Sequence, residues 1–225
     1  MNRAWVHTFR MRSKYGDQIQ DCVNRSVVYR SPMFMVGSGD PQIMVTKTDS
    51  VSEAFKHQGR VCILNFASYL NPGGGFLDGM YAQEEALCHE SFLFNVLGSF
   101  HEFYKWNRKH QDGGRWTNAA IYTPDVLFLR DGMEKKCDVL TCAAPRGYSD
   151  CLEDRIRFIA QIVDGHEPDV LILGAFGCGV FGQDPYEVAK CFKSAFRRSA
   201  VPLIVYAVPG GENYEAFAKT FRPEE

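Results

Sequence analysis

The chain has 225 residues, 45% of them apolar and 23% charged, and its 25 basic and 27 acidic side chains leave a formal net charge of −2. This is the balance of a globular protein with a sizeable core, and without a basic surplus it excludes polyanion binding driven by overall charge, so no sequence-specific nucleic-acid partner is expected. No apolar run approaches the ~20 residues that span a bilayer, Met1 to Phe9 lacks a signal-peptide core, and the eight cysteines show neither a Cys-x-x-Cys pair nor metal-ligand spacing with the six histidines, so the sequence predicts free thiols in a reducing intracellular compartment, no structural metal and no membrane partner.

Residues 1–25 are rich in charge, with Ile19, Cys22 and Val23 able to form one face of a short helix, and are expected to form an N-terminal arm or surface helix ahead of a domain over 26–225. Val27 to Tyr29 and Ile43 to Thr46 read as short strands, and Asp49 to Lys56 as a short helix with Asp and Ser cap candidates. Val61 to Leu64 is an unbroken apolar strand of the kind covered on both faces. It leads into Asn65-Phe66-Ala67-Ser68 and then Asn71-Pro72-Gly73-Gly74-Gly75.

Ala86, Leu87, Phe92, Leu93, Val96 and Leu97 predict one helix over about 84–98, continued by the packing aromatics Phe100, Phe103, Tyr104 and Trp106. Gln111 to Gly114 breaks the chain. Ala120 to Tyr122 and Val126 to Leu129 read as two strands separated by Thr123-Pro124-Asp125, with a turn at Asp131-Gly132 and a further strand at Val139 to Cys142. A helix over Arg155 to Val163 precedes a second unbroken apolar strand, Val170 to Leu173, which opens into the glycines of Gly174 to Gly182. Asp184-Pro185 starts a helix to about Arg198, Leu203 to Val208 is the last strand, and Glu212 to Phe221 a terminal helix. Alternation of strands and helices from residue 61 onward predicts an α/β fold of three layers, α/β/α, with a mixed, mostly parallel central sheet and the N-terminal strands added at an edge.

Ligands of open α/β sheets sit outside the carboxyl ends of the strands, and the loops 71–82 and 174–183 both follow buried strands. Glycine-rich backbone ahead of a helix start forms a cradle for phosphate or another anion. The Walker A pattern is absent, and no Rossmann fingerprint opens the first βαβ unit, which argues against a nicotinamide dinucleotide. Glu84 and Glu85 follow the first loop. Neighbours on a helix point about 100° apart, so the pair is not expected to converge: one carboxylate faces the ligand as a dominant acid, and the other caps backbone or holds a ligand hydroxyl.

Gly73-Gly74-Gly75, seven intervening residues and Gln83-Glu84-Glu85 resemble the signature of poly(ADP-ribose) glycohydrolases, and Asn65 to Ser68 with Gly174 to Gly182 look like the microbial-type branch. The resemblance implies a macrodomain that binds ADP-ribose between the two loops and hydrolyses the ribose–ribose bond of poly(ADP-ribose) on modified proteins, as a monomer, without cofactor or metal. It implies that Glu85 is the general acid/base, that Glu84 orients the ribose, and that Gly73, Gly74 and Gly75 pass close to that ribose and the adjacent phosphate. Gln83, Asn71 and Ser68 are the flanking ligand contacts. Gly177, Cys178, Gly179, Val180 and Phe181 form the diphosphate loop, with Phe181 against the terminal ribose. The alternatives are a hydrolase that removes mono-ADP-ribose from a side chain such as arginine, and a non-catalytic ADP-ribose reader; the intact Gln-Glu-Glu disfavours the reader.

Overall fold

A computed structural model describes residues 3–31, 37–147 and 150–222. Seven strands form one sheet: β1 (Val27–Tyr29), β2 (Gln42–Thr46), β3 (Val61–Phe66), β4 (Ala120–Arg130), β5 (Met133–Cys142), β6 (Val170–Leu173) and β7 (Leu203–Ala207). Their spatial order is β1-β4-β5-β3-β6-β7-β2. The neighbours from β5 to β2 are parallel, and β4 is antiparallel to both β1 and β5. The mixed, mostly parallel sheet agrees with the sequence pattern. The two N-terminal strands lie at opposite edges rather than together.

The unbroken apolar strands serve two layers. Val61 and Ile63 of β3 face one core cluster while Cys62 and Leu64 face the other, and β6 divides in the same way, Val170 and Ile172 against Leu171 and Leu173. The first layer contains α1 (Arg3–Arg25), α2 (Ser50–Ala54), α3 (Gln83–His89), α4 (Leu93–Leu97) and α5 (His101–Lys109); the second contains α6 (Leu152–His166), α7 (Pro185–Ala195) and α8 (Gly211–Thr220). In α1, Ala4, Met11, Tyr15, Ile19 and Cys22 are buried at helical spacing, with a kink at Tyr15. This segment is one long helix packed into the first layer, where its charged residues cover only the outer face.

Two local predictions change. The single helix over 84–98 is two helices, because Ser91 pairs with Phe128 of β4 as an isolated bridge and Leu129 N–H donates to Glu90 C=O at 2.7 Å. The Ser91 hydroxyl donates to Leu87 C=O at 2.6 Å and accepts from Leu93 N–H at 3.0 Å, offering the backbone an exit and a fresh start. Conversely, the two strands around Thr123-Pro124-Asp125 are one strand with a bulge, the position at which a sheet tolerates proline. A two-residue turn with Asp131 and Gly132 both at positive φ then closes the β4–β5 hairpin. Among the described residues, no helix is long and apolar enough to cross a membrane, and no cluster of His, Cys, Asp and Glu is arranged to hold a metal ion.

Candidate active site

β3 lies between β5 and β6, all three parallel, so the loops that follow them leave the sheet at the same end and side by side. The chain continues to β5 on one side of β3 and to β6 on the other, which makes this a topological switch point where such sheets bind ligands.

The first loop is built around two carboxylates. Glu84 and Glu85 occupy the first turn of α3, and both are buried, 3% and 5% exposed. Glu84 accepts from Ser68 N–H at 2.7 Å and from Asn65 Nδ2 at 3.2 Å. Glu85 accepts from Gly75 N–H at 2.9 Å with one oxygen and from Ala82 N–H at 3.0 Å with the other. Ala82 has no side chain with which to return that bond, so only the acidic half of a capping box forms. The expectation that the two carboxylates diverge does not hold. A Cβ placed on Gly74 would meet Glu85 Oε1 at 2.5 Å and Glu84 Oε2 at 3.0 Å. Each glutamate has enough torsions to turn its head back across the start of the helix, and the bare backbone of Gly74, at φ +58°, is what leaves room for both.

Burial is the largest influence on Glu84 and pushes its pKa up to about 8; hydrogen bonds from Ser68, Asn65 and the Gly73 backbone oppose the shift, and the neighbouring charge of Glu85 adds to it. A carboxyl in that range holds a proton near neutrality. Gln83 faces the protein: its amide oxygen accepts from Phe66 N–H at 2.8 Å, and its nitrogen donates to Leu64 C=O at 2.9 Å and Ser50 Oγ at 3.2 Å. It therefore fixes α3 to the end of β3. The Ser68 hydroxyl accepts from Leu70 and Asn71 N–H, and Asn71 C=O accepts from Gly74 N–H, so both residues shape the turn into the glycines. The side chain of Asn71 is solvent-exposed.

The second loop leaves β6. Gly177, at φ +78°, packs so closely on Ala144 beyond β5 that an added Cβ would meet the Ala144 Cβ at 2.7 Å. Cys178 is no nucleophile: burial, reinforced by Asp184, pushes its thiol up to about 12. Gly179 and Val180 are exposed, and among the described residues no acceptor pairs with the N–H groups of Gly179, Val180 and Phe181. Three successive free donors ahead of a helix make an anion cradle. Asp184 caps α7 by accepting from Tyr186 and Glu187 N–H, and Gln183 ties the loop to the carbonyls of Pro145 and Gly147.

Four residues, Asn65, Trp116, Tyr69 and Arg155, take positions at the site that the sequence did not assign to them individually. Asn65 lies within β3 directly after its apolar run, and a buried polar residue at that point was the available signal. Trp116 stacks on Tyr69 at 4.9 Å and presents its ring to the edge of Phe181 at 5.0 Å, so one aromatic column joins the two loops. Tyr69 is buried at the base of that column, with its hydroxyl bonded to His110 C=O and Thr117 Oγ1. Arg155 of α6, 1% exposed, donates to Asn118 Oδ1 at 2.7 Å, Trp116 C=O at 2.8 Å and Ala143 C=O. No carboxylate forms an ion pair with it among the described residues. Nothing in sequence marks an arginine on a helix as the brace of two distant loops.

Two cavities lie away from this centre, one of about 260 Å³ between α6 and α7, the other of about 280 Å³ between α1 and the β4–β5 hairpin; neither borders Glu84 or Glu85.

Fold and site define a three-layer macrodomain-type α/β protein with a pair of buried carboxylates beside a glycine loop. The family model of the microbial-type PARG catalytic domain, PARG being poly(ADP-ribose) glycohydrolase, matches residues 6–131, more than half of the sequence, and the chain belongs to that family. The match contains the loop 71–82 and α3; the second loop lies beyond it. Among solved structures, poly(ADP-ribose) glycohydrolase from Thermomonospora curvata is 25% identical over 97% of this chain and 98% of its own, with a TM-score of 0.85. The same enzyme bound to the inhibitor ADP-HPD superposes with a TM-score of 0.84 at the same identity and coverage. The enzyme from Deinococcus radiodurans in complex with ADP-ribose is 27% identical over 95% of this chain and 96% of its own, with a TM-score of 0.75. No curated protein matches the sequence.

Proposed function

We propose that this chain hydrolyses the ribose–ribose glycosidic bond at the end of poly(ADP-ribose) on modified proteins, releasing ADP-ribose, with Glu85 as general acid and then general base. The observation that carries this reading is the convergence of Glu84 and Glu85 on Gly74, at the mouth of β3, in a chain of the microbial-type PARG family. The diphosphate of the terminal unit lies over the free N–H groups of 179–181, and Phe181, backed by Trp116, packs against the terminal ribose. Glu84 holds a hydroxyl of that ribose.

Protonated Glu85 gives its proton to the departing oxygen as the C1–oxygen bond breaks, and an oxocarbenium-like ribose forms. The resulting carboxylate then takes a proton from the attacking water, which returns Glu85 to its starting form. Each carboxylate oxygen has a further lone pair beyond its bond to the loop backbone, so the loop orients Glu85 without saturating it. No cofactor enters these steps. The enzyme acts as a monomer in a reducing intracellular compartment, consistent with eight free cysteines.

The test is Glu85→Gln, assayed on poly(ADP-ribose) and on proteins carrying single ADP-ribose units at defined side chains. The variant is expected to lose turnover while keeping affinity for ADP-ribose. Near-wild-type hydrolysis by the variant refutes the role of Glu85, and wild-type release only from modified side chains replaces the polymer reading with a mono-ADP-ribosyl hydrolase.

A further inference from the structure

The loop that bends around Glu85 has an apolar outer rim. Met80 N–H donates to Gly75 C=O at 3.1 Å, and the Met80 side chain lies over Gly75, where an added Cβ would collide with its sulfur. Tyr81 precedes Ala82, whose N–H holds Glu85 Oε2. Tyr81 is 73% exposed, and its ring stacks on His89 at 5.5 Å with an interplanar angle of 22°. His89 in turn presents itself to the buried Phe76 at 4.6 Å. The exposed ring is thus mounted on two others, the lower one in the core. Burial is the main influence on His89 and lowers its pKa, against the opposing attraction of Glu85.

A tyrosine and a methionine left open to water beside a catalytic acid serve no packing need of the core. On the reading above the diphosphate lies over the loop after β6, while Met80 and Tyr81 belong to the other loop, between Gly75 and Ala82, whose N–H groups hold Glu85. The group displaced from C1 leaves away from the diphosphate. In poly(ADP-ribose) that group is a ribose hydroxyl of an adenosine, whose purine hangs from the adjacent carbon. A flat aromatic face flanked by a polarisable thioether suits a purine and offers nothing particular to an amino-acid side chain.

We infer that Tyr81, mounted on His89 and flanked by Met80, is the subsite for the leaving adenosine and selects polymer over single side-chain linkages. This rests on the glycohydrolase reading of Glu85 above. The test compares Tyr81→Ala and Tyr81→Trp with wild type in kcat/KM on poly(ADP-ribose), in affinity for ADP-ribose, which has no leaving group, and in Tm. Tyr81→Ala should lower kcat/KM by about tenfold or more, the loss of one base stack, with ADP-ribose affinity and Tm unchanged, and Tyr81→Trp should restore it. Unchanged kcat/KM in Tyr81→Ala overturns the subsite, as does a parallel loss of ADP-ribose affinity, which would assign the ring to the terminal unit. Failure of the wild type itself to cleave polymer overturns both readings, whereas an inert Tyr81→Ala in an active enzyme overturns only this one.

Discussion

Gly74→Ala is the sharpest probe of the site because it adds one methyl group between the two carboxylates. The new Cβ would stand 2.5 Å from Glu85 Oε1 and 3.0 Å from Glu84 Oε2. Restoring ordinary contact requires Glu85 Oε1 to retreat by about 1 Å, and misplacement of that size in an active site lowers rates by ~10²-fold. Alanine at φ +58° adds backbone strain of roughly 1–2 kcal/mol, which lowers Tm by roughly 2–8 °C in a chain of this size. Gly79→Ala separates the two effects: Gly79 has φ +80°, but nothing lies within 4 Å of its added Cβ, so it carries strain alone. Polymer hydrolysis should therefore fall about 10²-fold in Gly74→Ala and stay near wild type in Gly79→Ala, with similar losses of Tm. Activity of Gly74→Ala within about threefold of wild type refutes the claim that the bare backbone is what lets the carboxylates converge.

Two other residues carry measurable consequences. With its pKa raised to about 8 from an ordinary 4.5, Glu84 keeps a proton in the native state that the unfolded chain has already lost. Its contribution is therefore most favourable below pH 4.5 and is eroded as pH rises toward 8, by on the order of 5 kcal/mol. Denaturant unfolding across that range should show wild type losing stability relative to Glu84→Gln, and parallel profiles would refute the assignment. Arg155→Met leaves buried oxygens at Asn118, Trp116 and Ala143 without their donor, which should cost roughly 3 kcal/mol or more of stability and about 6 °C or more in Tm. Arg155→Lys restores the charge but not the fork, so it should recover only part. A Tm for Arg155→Met within about 2 °C of wild type would refute the bracing role.

The layered sheet was legible because its evidence is local: Val61 to Leu64 and Val170 to Leu173 are apolar without alternation, and only a strand covered on both faces accepts that pattern. The two loops were legible for the same reason, since glycines directly after such strands mark the ligand-binding end of the sheet. Errors arose where a distant segment decided the local outcome. Ser91 ends a helix because β4 pairs with it, and Pro124 stays within a strand because the bulge tolerates it. The divergence assigned to Glu84 and Glu85 followed from helix geometry at Cα and ignored the length of the side chains, which Gly74 alone permits to meet.

The support of the site was hidden for a further physical reason. Trp116 sits at φ +55°, a region that bulky residues avoid, and its carbonyl is held there by Arg155, a residue 39 positions later in the chain. That guanidinium also holds Ala143 C=O, and the adjoining Ala144 packs on Gly177 of the second loop. Through Trp116 it acts on Phe181 and Tyr69, the aromatic column between the loops. One buried cation thus fixes the spacing of two loops that share no hydrogen bond with each other among the described residues, and a polar residue acting at that range leaves no periodicity or motif in the sequence.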